Sequence, residues 1–130
     1  MLNISKLEYC ELEYQDNWVT LLINNKNKKN ALSKKLIHEI ITILNSLKND
    51  NSIRGVILRG KNNIFCSGAD LEELHQIAYN KKNQKELTIE MSKNIGELLK
   101  SIRDTPQITI SVIDGPCIAG GFGIACATDI

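Results

Sequence analysis

The apolar and polar positions of this chain switch between two periods. Residues 9–15 and 18–23 are short strand-like runs, and the Asp16-Asn17 pair between them has turn chemistry, so a β-hairpin is predicted. Residues 24–30 form a polar, basic loop. Ser33 is suited to cap a helix running to about Asn49, along which Leu36, Ile37, Ile40, Ile41, Leu44 and Leu47 make an apolar stripe. Residues 55–59 are the short apolar run expected of a buried parallel strand. After a loop at 60–63, residues 65–69 lead into a second helix starting near Asp70 and fading near Tyr79. Asp70 and Glu73 have capping-box spacing. A third helix is predicted over 87–103, with Ile95, Leu98, Leu99 and Ile102 on one side, and Thr105-Pro106 ends it. Residues 107–113 read as a strand and 114–116 as a turn. Residues 119–127 read as a helix of small residues packed tightly against its neighbours. Strands alternating with helices predict an α/β fold.

Composition narrows the function classes. The chain has 130 residues, 42% hydrophobic and 24% charged, enough for one domain with a core. A net charge of +1 gives no global pull toward nucleic acid or an anionic membrane. No apolar run reaches the roughly 18 residues of a membrane span. The first residues lack the basic-then-apolar pattern of a signal peptide. Cys10, Cys66, Cys117 and Cys126 have neither C-x-x-C spacing nor zinc-site partners, so no metal is expected. They read as reduced, mostly buried thiols of a cytoplasmic protein. Asp129-Ile130 follows a tightly packed apolar helix directly, from which we expect the N-terminal part (1–130) of a larger single domain.

Two turns carry candidate chemistry. Ile64-Phe65-Cys66-Ser67-Gly68-Ala69-Asp70-Leu71 and residues 114–123 each follow a strand and open a helix. Helix N-termini present unpaired N–H groups and partial positive charge, and two facing one point would suit a developing oxyanion. The alternative is that these glycines serve only their turns. Neither a phosphate-binding G-x-x-x-x-G-K-[ST] nor a hydrolase G-x-S-x-G is present, and the G-x-G at 121–123 lacks the rest of a dinucleotide fingerprint.

Three segments in order, NNKNKKNALS (24–33), GVILRGKNNIFCSGADLEEL (55–74) and VIDGPCIAGGFGIACATDI (112–130), resemble the enoyl-CoA hydratase/isomerase family, the crotonase superfamily. The resemblance implies repeated ββα turns stacked in a spiral, truncated here before the C-terminal trimerisation helices. It also implies a homotrimer or hexamer at full length. The implied substrate is an acyl-CoA thioester, with no tightly bound cofactor, no nucleic acid and no membrane partner.

By position, the resemblance gives the backbone N–H groups of Ala69 and Gly120 the role of an oxyanion hole for a thioester enolate. Ser67, Gly68, Ala69, Asp70, Leu71 and Glu72 would lie along the pantetheine and adenine. Asn30, Ala31 and Leu32 would meet the pantetheine arm. Lys28 and Lys29 would sit near the coenzyme A phosphates or in a plain solvated loop. The family's first catalytic glutamate falls at Gly123, which has no side chain, and the second beyond Ile130. The implied function is therefore an acyl-CoA-processing lyase or isomerase whose base is not visible, the 130-residue chain being inactive by itself. Two alternatives stand beside it: a non-catalytic acyl-CoA-binding fragment or degenerate homologue, and a structural α/β domain. Glu72 and Glu73 read as helix-start acids, His75 as a surface histidine and Asp129 as structural.

Overall fold

A computed structural model describes residues 6–130. The hairpin forms from β1 (Cys10–Gln15) and β2 (Trp18–Ile23), paired antiparallel with Gln15 opposite Trp18. Asp16 and Asn17 both have positive φ, 48° and 66°, as a two-residue hairpin turn with the twist of its strands requires. The strands β3 (Gly55–Gly60) and β4 (Ile108–Val112) complete a sheet of order β1-β2-β3-β4 in which β2, β3 and β4 are parallel.

Parallel neighbours need crossovers. Helix α1 (Lys34–Leu47) links β2 to β3, while α2 (Leu71–Tyr79) and α3 (Gln84–Arg103) link β3 to β4. Helix α4 (Gly120–Ala127) follows β4 and packs on α3. Ser33 caps α1, its side chain accepting from the Leu36 amide.

The core lies where one face of the sheet meets α1 and α3. Val19, Leu21 and Ile23 alternate along β2, with Val56 and Leu58 beside them on β3. They meet Leu36, Ile40, Ile43, Leu44 and Leu47 of α1 and Leu98 and Ile102 of α3. Each such side chain contributes about 1.5–3 kcal/mol of burial free energy. Gly55 has no room for a Cβ, because the Trp18 ring covers it at 2.1 Å from the Cβ position.

Several details depart from the sequence pattern. Ile43 is fully buried and Ile41 only partly, so the α1 stripe is rotated from the one expected. Ile41 lines a groove between α1, the segment before β1 and Asn94 and Glu97 of α3. Helix α3 begins three residues before the predicted start. Glu73 does not close a capping box with Asp70; its carboxylate accepts from the Lys34 amide at 2.9 Å, linking α2 to the start of α1. Helix α4 is not enclosed: only Gly121 and Ile124 are buried, and Phe122 is 62% exposed. Of the four free cysteines only Cys10 and Cys66 are buried, so "mostly buried" does not hold for Cys117 and Cys126.

Candidate active site

The two turns singled out in the sequence lie side by side. Cys66 and Cys117 form a bridge of parallel type, and the Ile118 amide donates to the Cys66 carbonyl at 2.9 Å. The Phe65 and Cys66 amides donate to the Pro116 carbonyl at 3.0 and 3.1 Å. A Cβ on Gly68 would stand 3.2 Å from the Ala119 Cβ and 3.9 Å from the Gly120 nitrogen. Gly68 also has a φ of +96°, which favours glycine for a second reason. Gly121 is required by close approach, since a Cβ there would lie 2.6 Å from the Cys66 carbonyl oxygen.

A third segment clamps the first turn. The Leu32 amide donates to the Gly68 carbonyl at 2.8 Å, and Leu32 and Ala69 form a parallel bridge. The Ser67 amide donates to the Lys29 carbonyl at 3.2 Å. Asn30, 3% exposed, braces this segment: its Nδ2 donates to the carbonyls of Ile64 (2.7 Å) and Lys61 (3.2 Å), and its Oδ1 accepts from the Asn25 amide.

These bonds set the direction of two amides. In a trans peptide the C=O and the following N–H point in opposite directions, and the described chain has no cis bond. The Gly68 carbonyl is held by Leu32, so the Ala69 N–H is aimed the other way. The Ala119 carbonyl is held by the Gly123 amide at 3.1 Å, so the Gly120 N–H is aimed outward from the start of α4. Neither N–H has an acceptor among the described residues, and Ala69 and Gly120 are both half-buried. Ala119 has φ 49° and ψ −112°. Such a conformation in a residue with a Cβ costs roughly 1–3 kcal/mol and is retained only where surrounding bonds impose it.

Asp70 is 2% exposed and caps α2, its Oδ1 accepting from the Glu72 and Glu73 amides at 2.9 and 3.2 Å. Its Oδ2 meets Lys28 Nζ at 2.8 Å, and Lys28 also reaches Glu72 at 2.9 Å. Burial disfavours the Asp70 carboxylate, but Lys28 and the two amides outweigh it and hold its pKa below the usual range. Asp70, followed by Glu72, holds the Lys28 ammonium above its ordinary value. Burial pushes the Cys66 and Cys117 thiols up, so neither is a ready thiolate nucleophile.

Most of the expected contact residues, though not Asn30, Leu32, Gly68 or Gly120, line one cavity of about 490 Å³, among them Lys28, Lys29, Ala31, Ser67, Asp70 and Leu71. Ala69 and Glu72 also line it, and Gly120 lies next to the Gly68 turn. A second cavity, about 220 Å³, lies between α2, α3 and the start of α1 and shares Leu32 with the clamp. Leu32 itself is buried, and its Cδ1 lies 2.8 Å from where a Gly120 Cβ would be. The site brings no carboxylate to position 123; a Cβ there would only touch Leu99, at 3.5 Å. His75 is exposed on α2 and stacks with Tyr79 at 4.3 Å. Asp129 accepts from the Thr109 amide (2.8 Å) and hydroxyl (2.9 Å), which is a structural use of the side chain. Sequence reasoning missed the Lys28–Asp70 pair, whose partners are 42 residues apart and share no local pattern.

Among the described residues no helix is long and apolar enough to cross a membrane, and no His/Cys/Asp/Glu group could hold a metal. Comparison with known proteins agrees with the arrangement. The family model described as Enoyl-CoA hydratase/isomerase matches residues 13–130. The mitochondrial methylglutaconyl-CoA hydratase of Mus musculus is 35% identical over 96% of this chain and 38% of its own length. Enoyl-CoA hydratase ACTT6 of Alternaria alternata is 32% identical over 92% of this chain and 37% of its own. Among solved structures, an enoyl-CoA hydratase/isomerase from Marinobacter aquaeolei superposes with a TM-score of 0.86 at 28% identity, covering 95% of this chain and 48% of that one. The chain thus spans less than half the length of these relatives. With a mixed α/β sheet of this topology, paired strand–helix turns and a family match over residues 13–130, the chain belongs to the enoyl-CoA hydratase/isomerase family, the crotonases.

Proposed function

We propose that this chain forms the enolate-stabilising part of an enzyme acting on acyl-CoA thioesters, a hydratase or isomerase, with the N–H groups of Ala69 and Gly120 as the oxyanion hole. The observation that carries it is a pair of amides with no acceptor among the described residues, each aimed by a hydrogen bond at the carbonyl of its own peptide. A thioester oxygen between them would gain negative charge as a proton leaves the adjacent carbon. One such preorganised donor is worth about 3 kcal/mol in the transition state. The cavity bounded by Lys28, Ala31, Ser67, Asp70, Leu71 and Glu72 would take the coenzyme A arm, with Asn30 and Leu32 holding its wall. The smaller cavity joins an apolar side of Leu32, Ile37, Ile77, Leu87 and Met91 to a polar one of Lys34, Glu73, Gln76, Glu90 and Asn94, and its apolar side would take part of an acyl chain.

The general base lies elsewhere. Gly123 has no side chain to move a proton, and the carboxylates nearest in sequence to the first turn are engaged, Asp70 and Glu72 by Lys28 and Glu73 by the Lys34 amide. We infer that the 130 residues are the N-terminal part of a single domain, since they cover 37–38% of the curated relatives named above. We infer also that the complete protein is a homotrimer or hexamer in the cytoplasm, with a carboxylate in its remaining part. Four free cysteines support a reducing compartment; the mouse relative is mitochondrial by name, so fractionation would decide.

Titration of the purified protein with acetoacetyl-CoA, followed by the near-ultraviolet band of its enolate, tests the proposal. Saturable binding with growth of that band is expected; a folded protein that does not bind would overturn the thioester function. The missing side chain at Gly123 favours a second reading, an acyl-CoA-binding protein without turnover. Binding in the absence of any hydration, isomerisation or exchange of the α-proton by the complete protein would select it.

A further inference from the structure

Backbone bonds and one charged side chain fix the Gly68–Ala69–Asp70 turn. Leu32 holds Gly68 and Lys29 holds Ser67, both through the backbone. On the far side of Ala69, Lys28 holds Asp70. Asp70 divides its two oxygens: Oδ1 caps α2 and Oδ2 takes the ammonium. A carboxylate 2% exposed needs such a partner, because a buried charge left unpaired is strongly destabilising. Lys28 reaches it from the loop that precedes the Leu32 clamp, and its carbonyl accepts from the Ser67 hydroxyl at 3.4 Å. Loop and turn are therefore tied on both sides of the Ala69 amide.

We propose that Lys28 is a positioning residue that fixes the Ala69 N–H through Asp70, and that it does not anchor a coenzyme A phosphate. This rests on the enolate-stabilising function proposed above. The ammonium has three donors, and two are committed to Asp70 and Glu72. A phosphate approaching Lys28 would meet both carboxylates at close range. Lys29, on the same loop and lining the same cavity, makes no ion pair among the described residues. Lys29 is thus the cation left for a phosphate, and the two adjacent lysines divide the roles.

The test compares two thioesters, acetoacetyl-CoA and acetoacetyl-pantetheine, which lacks the nucleotide phosphates. For the purified protein, dissociation constants and the enolate band at saturation are measured in wild type, Lys28→Met, Lys28→Arg and Lys29→Met. Lys28→Met should reduce the saturated band by about tenfold with both esters, as expected when a polarising group is displaced by a fraction of an ångström. Its two dissociation constants should change in parallel. Lys28→Arg should recover most of the band, and Lys29→Met should weaken only the coenzyme A ester. A Lys28→Met protein with a full band, whether binding is unchanged or weakened for the coenzyme A ester alone, would overturn the positioning role. If Lys28→Met does not fold, Asp70→Asn, which keeps a capping oxygen and loses the ion pair, must show the same smaller band, and a full band overturns the role. A wild-type protein that binds neither ester would overturn the thioester function itself, and the role of Lys28 with it.

Discussion

The amide of Leu32 donates to the carbonyl of Gly68 at 2.8 Å, and through the rigid trans peptide it aims the N–H of Ala69. No side chain takes part in this bond; the Lys28–Asp70 pair holds the other flank of the same amide. Gly123 and Ala119 repeat the device at the second turn. Substitutions that touch these peptides, or the glycines that allow them, give the most direct tests.

Gly120→Pro removes one donor at the first position of α4, where proline costs no internal helix bond and its Cβ displaces only the end of the Leu32 side chain, 2.8 Å away. In an active enzyme containing this chain, kcat should fall by about 10²–10³. Steady-state kinetics beside a circular dichroism spectrum would check it. An unchanged kcat would remove Gly120 from the oxyanion hole.

Gly68→Ala places a Cβ 3.2 Å from both the Ala119 Cβ and the Ile118 carbonyl, in a backbone with φ +96°. Stability should fall by about 1 kcal/mol or more in urea unfolding. A variant as stable as wild type would mean that the two turns are not in contact as described.

Gly123→Ala should go the other way. The added methyl meets only the end of Leu99, at ordinary contact distances of 3.5 and 3.6 Å, and α4 gains a better helix former. A gain of roughly 0.5–1 kcal/mol is expected. A loss on thermal or urea unfolding would show that the space at Gly123 is occupied.

Asp70 gives the protein an acid-side dependence. Its pKa in the folded state lies below the unfolded value, chiefly because Lys28 and the capping amides overcome burial. The stability it contributes is complete above the unfolded value of about 3.9 and is lost as pH falls through the folded one. Asp70→Asn keeps a cap but carries no such proton linkage. The stability difference between wild type and Asp70→Asn should therefore shrink below about pH 4. A difference that is constant with pH would show that the carboxylate is not ion-paired.

The rotated stripe of α1 can be read by cavity formation. Ile43→Ala should cost about 2–5 kcal/mol, and Ile41→Ala clearly less, because only Ile43 is fully enclosed. Equal costs would restore the stripe expected from the sequence.

Much of the architecture was legible because it depends on near neighbours. The Trp18–Ile23 strand matches its predicted bounds, and Asp16-Asn17 turns the hairpin with the positive φ values that such residues tolerate. Ser33 and Asp70 cap the helices they were expected to cap. The choice between Ile41 and Ile43 was not legible, since both lie near the edge of a helical stripe and the packing of α3 decides between them. Nor was the exposure of α4: a run of glycine, alanine, phenylalanine, isoleucine and cysteine has no polar face to mark the open side.

The candidate site divides in the same way. By itself the sequence determined where the two turns fall, that glycine stands at 68, 120 and 123, and which family the motifs resemble. Local steric rules and motif spacing suffice for that. Only the tertiary structure decided that the turns meet, which way the amides of Ala69 and Gly120 point, and that Lys28 spends its charge on Asp70. These depend on single hydrogen bonds between segments far apart in the chain, Lys28 and Asp70 being 42 residues apart. No periodicity or propensity encodes such a bond, because its partners become neighbours only when the sheet and its crossovers have formed.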